Sequence, residues 1–143
     1  MDVLDVNVLV NAFRRDAPRH TAFLKLMRKL VEGDQPFAVP AVVYSGFFRI
    51  VTHPRIFKPP STFKDALVFA DQVRTQDHCL TVVPGARHWE IFVKLCQAGQ
   101  ARGSLVSDAY LAAMAIELGA ELVSDDRGFG RWPGLRWRHP VDE

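Results

Sequence analysis

The sequence predicts an α/β fold: a central, mostly parallel sheet of four to five strands flanked by helices. Two observations carry this expectation. Short apolar runs of strand length alternate with longer stretches whose apolar residues recur every three or four positions. Pro and Gly punctuate the joints, and no linker or shift in composition divides the chain. Strands separated by helices imply parallel pairing through right-handed crossovers. With 143 residues, a single domain over 1–143 is expected, large enough to bury about two-thirds of its unfolded surface.

Taken in order, residues 3–6 read as a short buried strand interrupted by Asp5. Over 18–32, Phe23, Leu26, Met27 and Leu30 share one helical face, and Gly33 stops the helix. Residues 37–39 suit a second strand. Pro40 then suits the first turn of a helix facing inward with Val43, Phe47, Ile50 and Val51, ended by His53-Pro54. After a loop over 54–60, Ser61 or Thr62 caps a helix that turns Phe63, Leu67, Ala70 and Val73 to the core. Residues 80–83 form a third strand, ended by Pro84-Gly85. Trp89, Phe92, Val93 and Cys96 repeat the helical pattern, and Gly99 closes it. Asp108 opens an almost wholly apolar helix over 109–118, which should therefore be central. Residues 121–124 give a fourth strand and 135–138 a possible fifth.

The bulk properties exclude several classes. A chain 48% apolar and 24% charged is globular, not disordered. Cys79 and Cys96 have no metal-ligand or paired spacing, which favours a reducing, cytoplasmic setting over a disulfide scaffold. The opening MDVLDVNVLV lacks the basic region and cleavage site of a signal peptide, and no apolar run reaches the roughly 20 residues of a membrane span. The net charge of +2 is too small to argue for nucleic acid by itself. Its distribution permits it: Arg14, Arg15, Arg19, Lys25, Arg28 and Lys29 crowd the first quarter, and Arg127, Arg131, Arg136 and Arg138 follow Asp126. Such clusters are often only solvated faces, but they also attract polyanions. The five histidines have no ligand spacing, and His53 and His139 precede prolines as structural or surface residues.

Ligand sites in parallel sheets form beyond the carboxyl ends of the strands. Asp5 lies at the end of the first strand, Asp125 and Asp126 just past the fourth, and Asp108 at the start of the central helix. Each has an ordinary explanation: a structural ion partner, a turn residue, or an acid placed by the helix dipole. Together they make a set of hard oxygen donors suited to Mg²⁺ or Mn²⁺, and such ions promote phosphodiester cleavage.

Three segments carry a family likeness. MDVLDVNVLVNAF resembles the opening of PIN domains, and SDAYLAAMAIELGAELVSDDRGFGRWPGLRW their C-terminal half. Between them, VPAVVYSGFFRIVTHPRIF is similar to the second helix and following turn of VapC-type toxins. The resemblance spans essentially the whole chain. It implies a PIN fold, Mg²⁺ or Mn²⁺ dependence, endoribonuclease activity on structured RNA such as tRNA or rRNA, homodimerisation and a cognate VapB-type antitoxin. It places the family's first, third and fourth acids at Asp5, Asp108 and Asp126, with Asp125 as an additional possible metal acid. Asn7 and Ser124 fall at polar positions that orient the acids or a water, unless they serve only as caps. Arg49 falls where it would pair an acid or order the helix around Gly46, and Arg14, Arg15, Arg127 and Arg131 are candidate contacts to RNA.

Two positions depart from the family pattern. The second acid should fall at Gly46, and no Asp or Glu occurs anywhere over 35–64. The accessory acid should fall at Gly128. Two other readings stay open: a PIN-like RNA- or protein-binding module with reduced or lost catalysis, and a HAD-type phosphatase. The phosphatase would use Asp5 as nucleophile, but it needs an acid where Asn7 stands.

Overall fold

The structure is a computed structural model and describes residues 1–142. Five parallel strands form one sheet: β1 (Asp2–Leu4), β2 (Phe37–Ala38), β3 (Cys79–Leu80), β4 (Glu121–Val123) and β5 (Arg136–Arg138), in the order β3-β2-β1-β4-β5. The connecting helices are α1 (Val6–Phe13), α2 (His20–Glu32), α3 (Ala41–Val51), α4 (Phe63–Arg74), α5 (His88–Ala98) and α6 (Ser104–Leu118). The predicted α/β architecture and the fifth strand are both present. Among the described residues no helix is long and apolar enough to cross a membrane.

β1 is the middle strand and has β2 on one side and β4 on the other. The order of strands therefore reverses at β1, which opens a crevice at its carboxyl end. Val3, Leu4, Phe37, Ala38, Leu122 and Val123 are all fully buried, as expected for parallel strands covered on both faces. A single apolar cluster joins them to the helices. Phe47 lies at its heart, with its ring 5.4 Å from Phe13 in an edge contact and 5.5 Å from Phe69. Arg138 ties the beginnings of β1 and β4 to the end of β5, donating to Asp2 at 2.9 Å and to Glu121 at 3.1 Å.

Several boundaries differ from the sequence reading. The first strand ends at Leu4, and α1 begins at once, although Val6, Val8 and Val10 alternate as strand residues do. Burial of Val8, Leu9, Val10 and Ala12 against neighbouring helices outweighs the weak helix propensity of valine. Pro40 occupies the cap position ahead of α3 instead of its first turn. In α4 the buried stripe is Ala66, Ala70 and Val73, while Phe63 and Leu67 are exposed. The third strand is Cys79–Leu80, at the sheet edge, and Val83 is outside it and exposed. His88 and Leu95 are the buried residues of α5, and Trp89 faces outward. The apolar central helix α6 starts at Ser104, one turn earlier than expected, which puts Asp108 inside the helix.

Phe47→Ala would remove a fully buried ring from this cluster, at a cost of about 3–4 kcal/mol. Val42→Ala on the exposed side of the same helix should change stability by less than about 0.5 kcal/mol. Urea denaturation of both variants checks the contrast, and similar losses would mean that Phe47 is not central to the core.

Candidate active site

Asp5 is the residue at which the chain leaves β1 and enters α1. Its amide continues the strand ladder by donating to Val123 O at 3.0 Å, and its side chain caps the helix by accepting from Val6 N at 2.7 Å. The other carboxylate oxygen accepts from the Asn7 amide at 3.0 Å and the Ser124 hydroxyl at 2.7 Å. Ser124 is completely buried at the end of β4. Its hydroxyl also accepts from Asn7 Nδ2 and from Asp126 N, both at 3.0 Å. Asn7 in turn accepts from Asp125 N at 3.2 Å. Trp137 Nε1 donates to Ser124 O at 3.1 Å and fixes the backbone there. The ends of β1 and β4 are thus tied together by Asn7 and Ser124, the polar side chains expected to orient the acids.

Asp108 projects from the second turn of α6. It lines the same cleft as Asp5, Gly46 and Arg49, a cavity of about 580 Å³ with α3 on one side and α5 and α6 on the other. Burial raises the Asp108 carboxyl pKa to about 6, helped by the charges of Asp126 and Asp5 and opposed by Arg131. Burial also raises Asp5, against the bonds from Ser124 and Val6, with Asp126 and Asp125 adding to the rise. Asp126 is exposed and feels both acids, yet its Oδ1 caps a 3-10 turn over Arg127–Arg131 by accepting from Gly128 N at 2.8 Å. Asp125 is raised by burial but held down by Arg19 and His139, so it belongs as much to their side of the molecule.

The candidate arginines divide. Arg14 is committed elsewhere: it pairs with Asp16 at 2.7 Å, donates to Ser61 and stacks on Phe57. Arg15 is exposed near the end of α1, away from the cleft. Arg131 packs on Trp132 and acts on Asp108, while Arg127 begins the 3-10 turn. Arg49 was expected to pair an acid or to order the helix around Gly46. It lines the cleft but makes no ion pair with Asp5 or Asp108. The aromatic part of the cleft wall, Phe92 and Tyr110, was not identified from sequence, because at helical spacing both resemble core residues.

The donor set fits a hard divalent cation. Asp5 and Asp108 are carboxylates drawn to one cleft, raised by burial and by the charges of neighbouring acids, with no basic side chain in an ion pair with either among the described residues. Among those residues no three His, Cys, Asp or Glu side chains converge into a closed cage. Mg²⁺ does not require one, since it commonly keeps several waters and takes one or two carboxylates together with substrate phosphate.

Gly46 and Gly128, where the resemblance would place acids, each stand close to a neighbouring side chain. Gly46 does face the cleft, but a Cβ there would stand 3.0 Å from Val6 Cγ2. A Cβ on Gly128 would stand 2.9 Å from Asp126 Oδ1, the atom that caps the turn. Each glycine is matched to its neighbour.

Asp108→Asn should stabilise the metal-free protein at neutral pH. Its folded-state pKa of about 6 exceeds the ordinary 3.8, so the group's contribution is complete below about pH 4 and lost as pH rises through about 6. At pH 7.5 the neutral Asn should gain about 1 kcal/mol, the solvent-screened part of that shift, or about 3 °C in Tm. Wild type should recover the gain with Mg²⁺ and the variant should not. An unchanged Tm in calorimetry without metal would show that Asp108 carries no such strain. Gly46→Glu alone should be limited by Val6, whose β-branched side chain turns poorly in a helix. Combined with Val6→Ala, it should tighten Mg²⁺ binding by about tenfold in calorimetry. An unaltered affinity in the folded double variant would show that position 46 cannot serve the site.

Comparison with known proteins agrees with this geometry. The PIN domain family model matches residues 3–135. The chain is 41% identical to ribonuclease VapC43 of Mycobacterium tuberculosis over 139 residues, covering 97% of this chain and 95% of that protein. It is also 41% identical to ribonuclease VapC25 of the same organism over 140 residues, covering 98% and 99%. Among solved structures, VapBC2 from Rickettsia felis, bound to a DNA fragment from its promoter, superposes with a TM-score of 0.68 at 18% identity, covering 96% and 97% of the two chains. The reversal of strand order at β1, the acids gathered there and the full-length relatives converge: the chain belongs to the PIN domain family, among the VapC ribonucleases.

Proposed function

We propose that the chain is a divalent-metal-dependent endoribonuclease, the toxin of a VapBC-type toxin–antitoxin module, and that Asp5, Asp108 and Asp126 are its working acids. One observation supports this above the others. Two half-buried carboxylates, neither held in an ion pair among the described residues, line one cleft at the switch point of the sheet, in a chain that belongs to the VapC ribonucleases.

Asp5 and Asp108 would hold the ion, Mg²⁺ or Mn²⁺, with Asp126 adding negative charge from the exposed side. When bound, the ion supplies Lewis-acid stabilisation of the charge that builds on the cleaved phosphate. The chain's own residues prepare the place. Ser124, Asn7 and Val6 N fix the Asp5 carboxylate in one orientation, leaving acceptor capacity for a further partner. Arg131 offsets Asp108 from the side of the 3-10 turn, and with Arg127 it would attract the RNA backbone there, while Arg15 would serve only RNA that extends beyond the cleft. Arg14 leaves that set because its guanidinium is already engaged. Structured RNA, tRNA or rRNA, is the proposed substrate and the cytoplasm the place of action. A cognate VapB-type antitoxin and a second copy of the chain are the proposed partners. The phosphatase reading falls away with the family, and Asn7 donates to Asp5 where that chemistry needs an acid.

Asp5→Asn should lower RNA cleavage by about 100-fold or more while leaving the fold intact, and chelation of divalent ions should silence wild type until Mg²⁺ or Mn²⁺ is returned. Cleavage assays beside circular dichroism test this, and undiminished turnover by Asp5→Asn would remove Asp5 from the site. Glycine at 46 and 128 favours a second reading, a binding module with weakened catalysis. Wild-type protein that binds RNA but cuts none with either metal would select it.

A further inference from the structure

The cleft that holds the acids has a second chemistry on its walls. Arg49, on α3, stands on one side; Phe92 of α5 and Tyr110 of α6 stand on the other. Their rings meet edge to face at 5.5 Å, and both contact the buried His88 ring, Tyr110 at 4.4 Å and Phe92 in a stacked arrangement at 5.9 Å. His88 is fixed in turn by a 2.9 Å bond between Nε2 and Tyr110 O. The aromatic wall is therefore rigid.

Trp89 extends it into solvent. Its ring lies 6.0 Å from Phe92, one helical turn away, and the residue is 72% exposed, the most exposed large apolar side chain among the described residues. Nothing in the core explains a tryptophan there, since the buried positions of α5 are His88 and Leu95. Its neighbour Arg87 is exposed as well, and its backbone N–H is held by Glu117 at 2.9 Å. An exposed aromatic face with Arg87 nearby in the chain and Arg49 across an acid-lined cleft has the make-up of a site for single-stranded nucleic acid, where bases stack and phosphates meet guanidinium groups.

We infer that Trp89 is a specificity-determining residue that stacks on an unpaired base of the RNA next to the cleavage site, with Arg49 contacting the backbone across the cleft. The inference rests on the ribonuclease reading and names the part of the RNA this site grips: a single-stranded loop or bulge, since a base paired within a duplex cannot present its face to Trp89. The stack also gives Trp89 a role distinct from that of the acids, in binding and not in the chemical step.

The test uses the full-length protein carrying Asp5→Asn to prevent cleavage, with a fluorescein-labelled 12-nucleotide RNA of mixed sequence, single-stranded or annealed to its complement. Anisotropy should show Trp89→Ala weakening single-strand binding about tenfold, Trp89→Phe restoring it to within about twofold, and duplex affinity unchanged. Arg49→Ala should weaken binding and lower its salt dependence, which Trp89→Ala should not. In the cleavage-competent protein, Trp89→Ala should raise KM with little change in kcat. Equal affinity of wild type and Trp89→Ala for the single strand would overturn the inference. So would an equal loss on the duplex, or a change in oligomeric state by light scattering with RNA affinity intact, which would assign Trp89 to a contact between copies. Failure of the ribonuclease reading looks different: wild type would cut neither RNA with either metal, whether or not it binds them.

Discussion

The structure turns on one carboxylate placed at the end of the central strand. Asp5 joins β1 to α1, caps the helix through one oxygen and receives Asn7 and Ser124 through the other. Burial alone would push such a group toward its neutral form or force the strand end open. Three donors offset that cost, and the donors come from the helix the carboxylate caps and from the end of the neighbouring strand. The reversal of strand order at β1, the abrupt start of α1 and the alignment of β4 with β1 therefore meet at one residue. The cleft opens beside that point, between α3 on one side and α5 and α6 on the other.

Much of this was legible in the sequence. An acid inside an apolar run, a second before a small-residue helix and a third in a turn after a strand are enough to suggest a shared edge. The parallel order of elements brings those ends together. What was not legible follows from tertiary contacts. Alternating valines after Asp5 favour a strand locally, and only the surfaces packed on α1 make them a helix. The start of α6 at Ser104 was hidden because Gly103 and Ser104 look like the end of a loop, yet the extra turn is what raises Asp108 out of the capping position and into the cleft. The stripe of α4 was misplaced for a related reason: every position over 66–70 is apolar, so periodicity cannot choose a face.

The site also differs from a simple cluster of acids. Asp126 has two demands on it, as the cap of the 3-10 turn and as a charge felt by Asp5 and Asp108. Gly128 makes the first possible by leaving room for the carboxylate. Gly46 leaves room for the Val6 side chain beside Asp5 in the cleft. Both departures from the family pattern are thus fitted to neighbours, and sequence comparison alone would record them only as losses.

Ser124 has one proton and two lone pairs, and all three are spoken for: the proton goes to Asp5, and the lone pairs take Asn7 Nδ2 and Asp126 N. The hydroxyl is a rotor with a single stopping point. Its direction favours the charged form of Asp5 against the opposing pull of burial, because a proton arriving on the Asp5 oxygen that faces Ser124 would meet another proton. The pocket therefore stores its polarity before any ligand arrives, and no dipole there has to turn when charge appears. A side chain with no charge of its own steadies the charge that Asp5 presents.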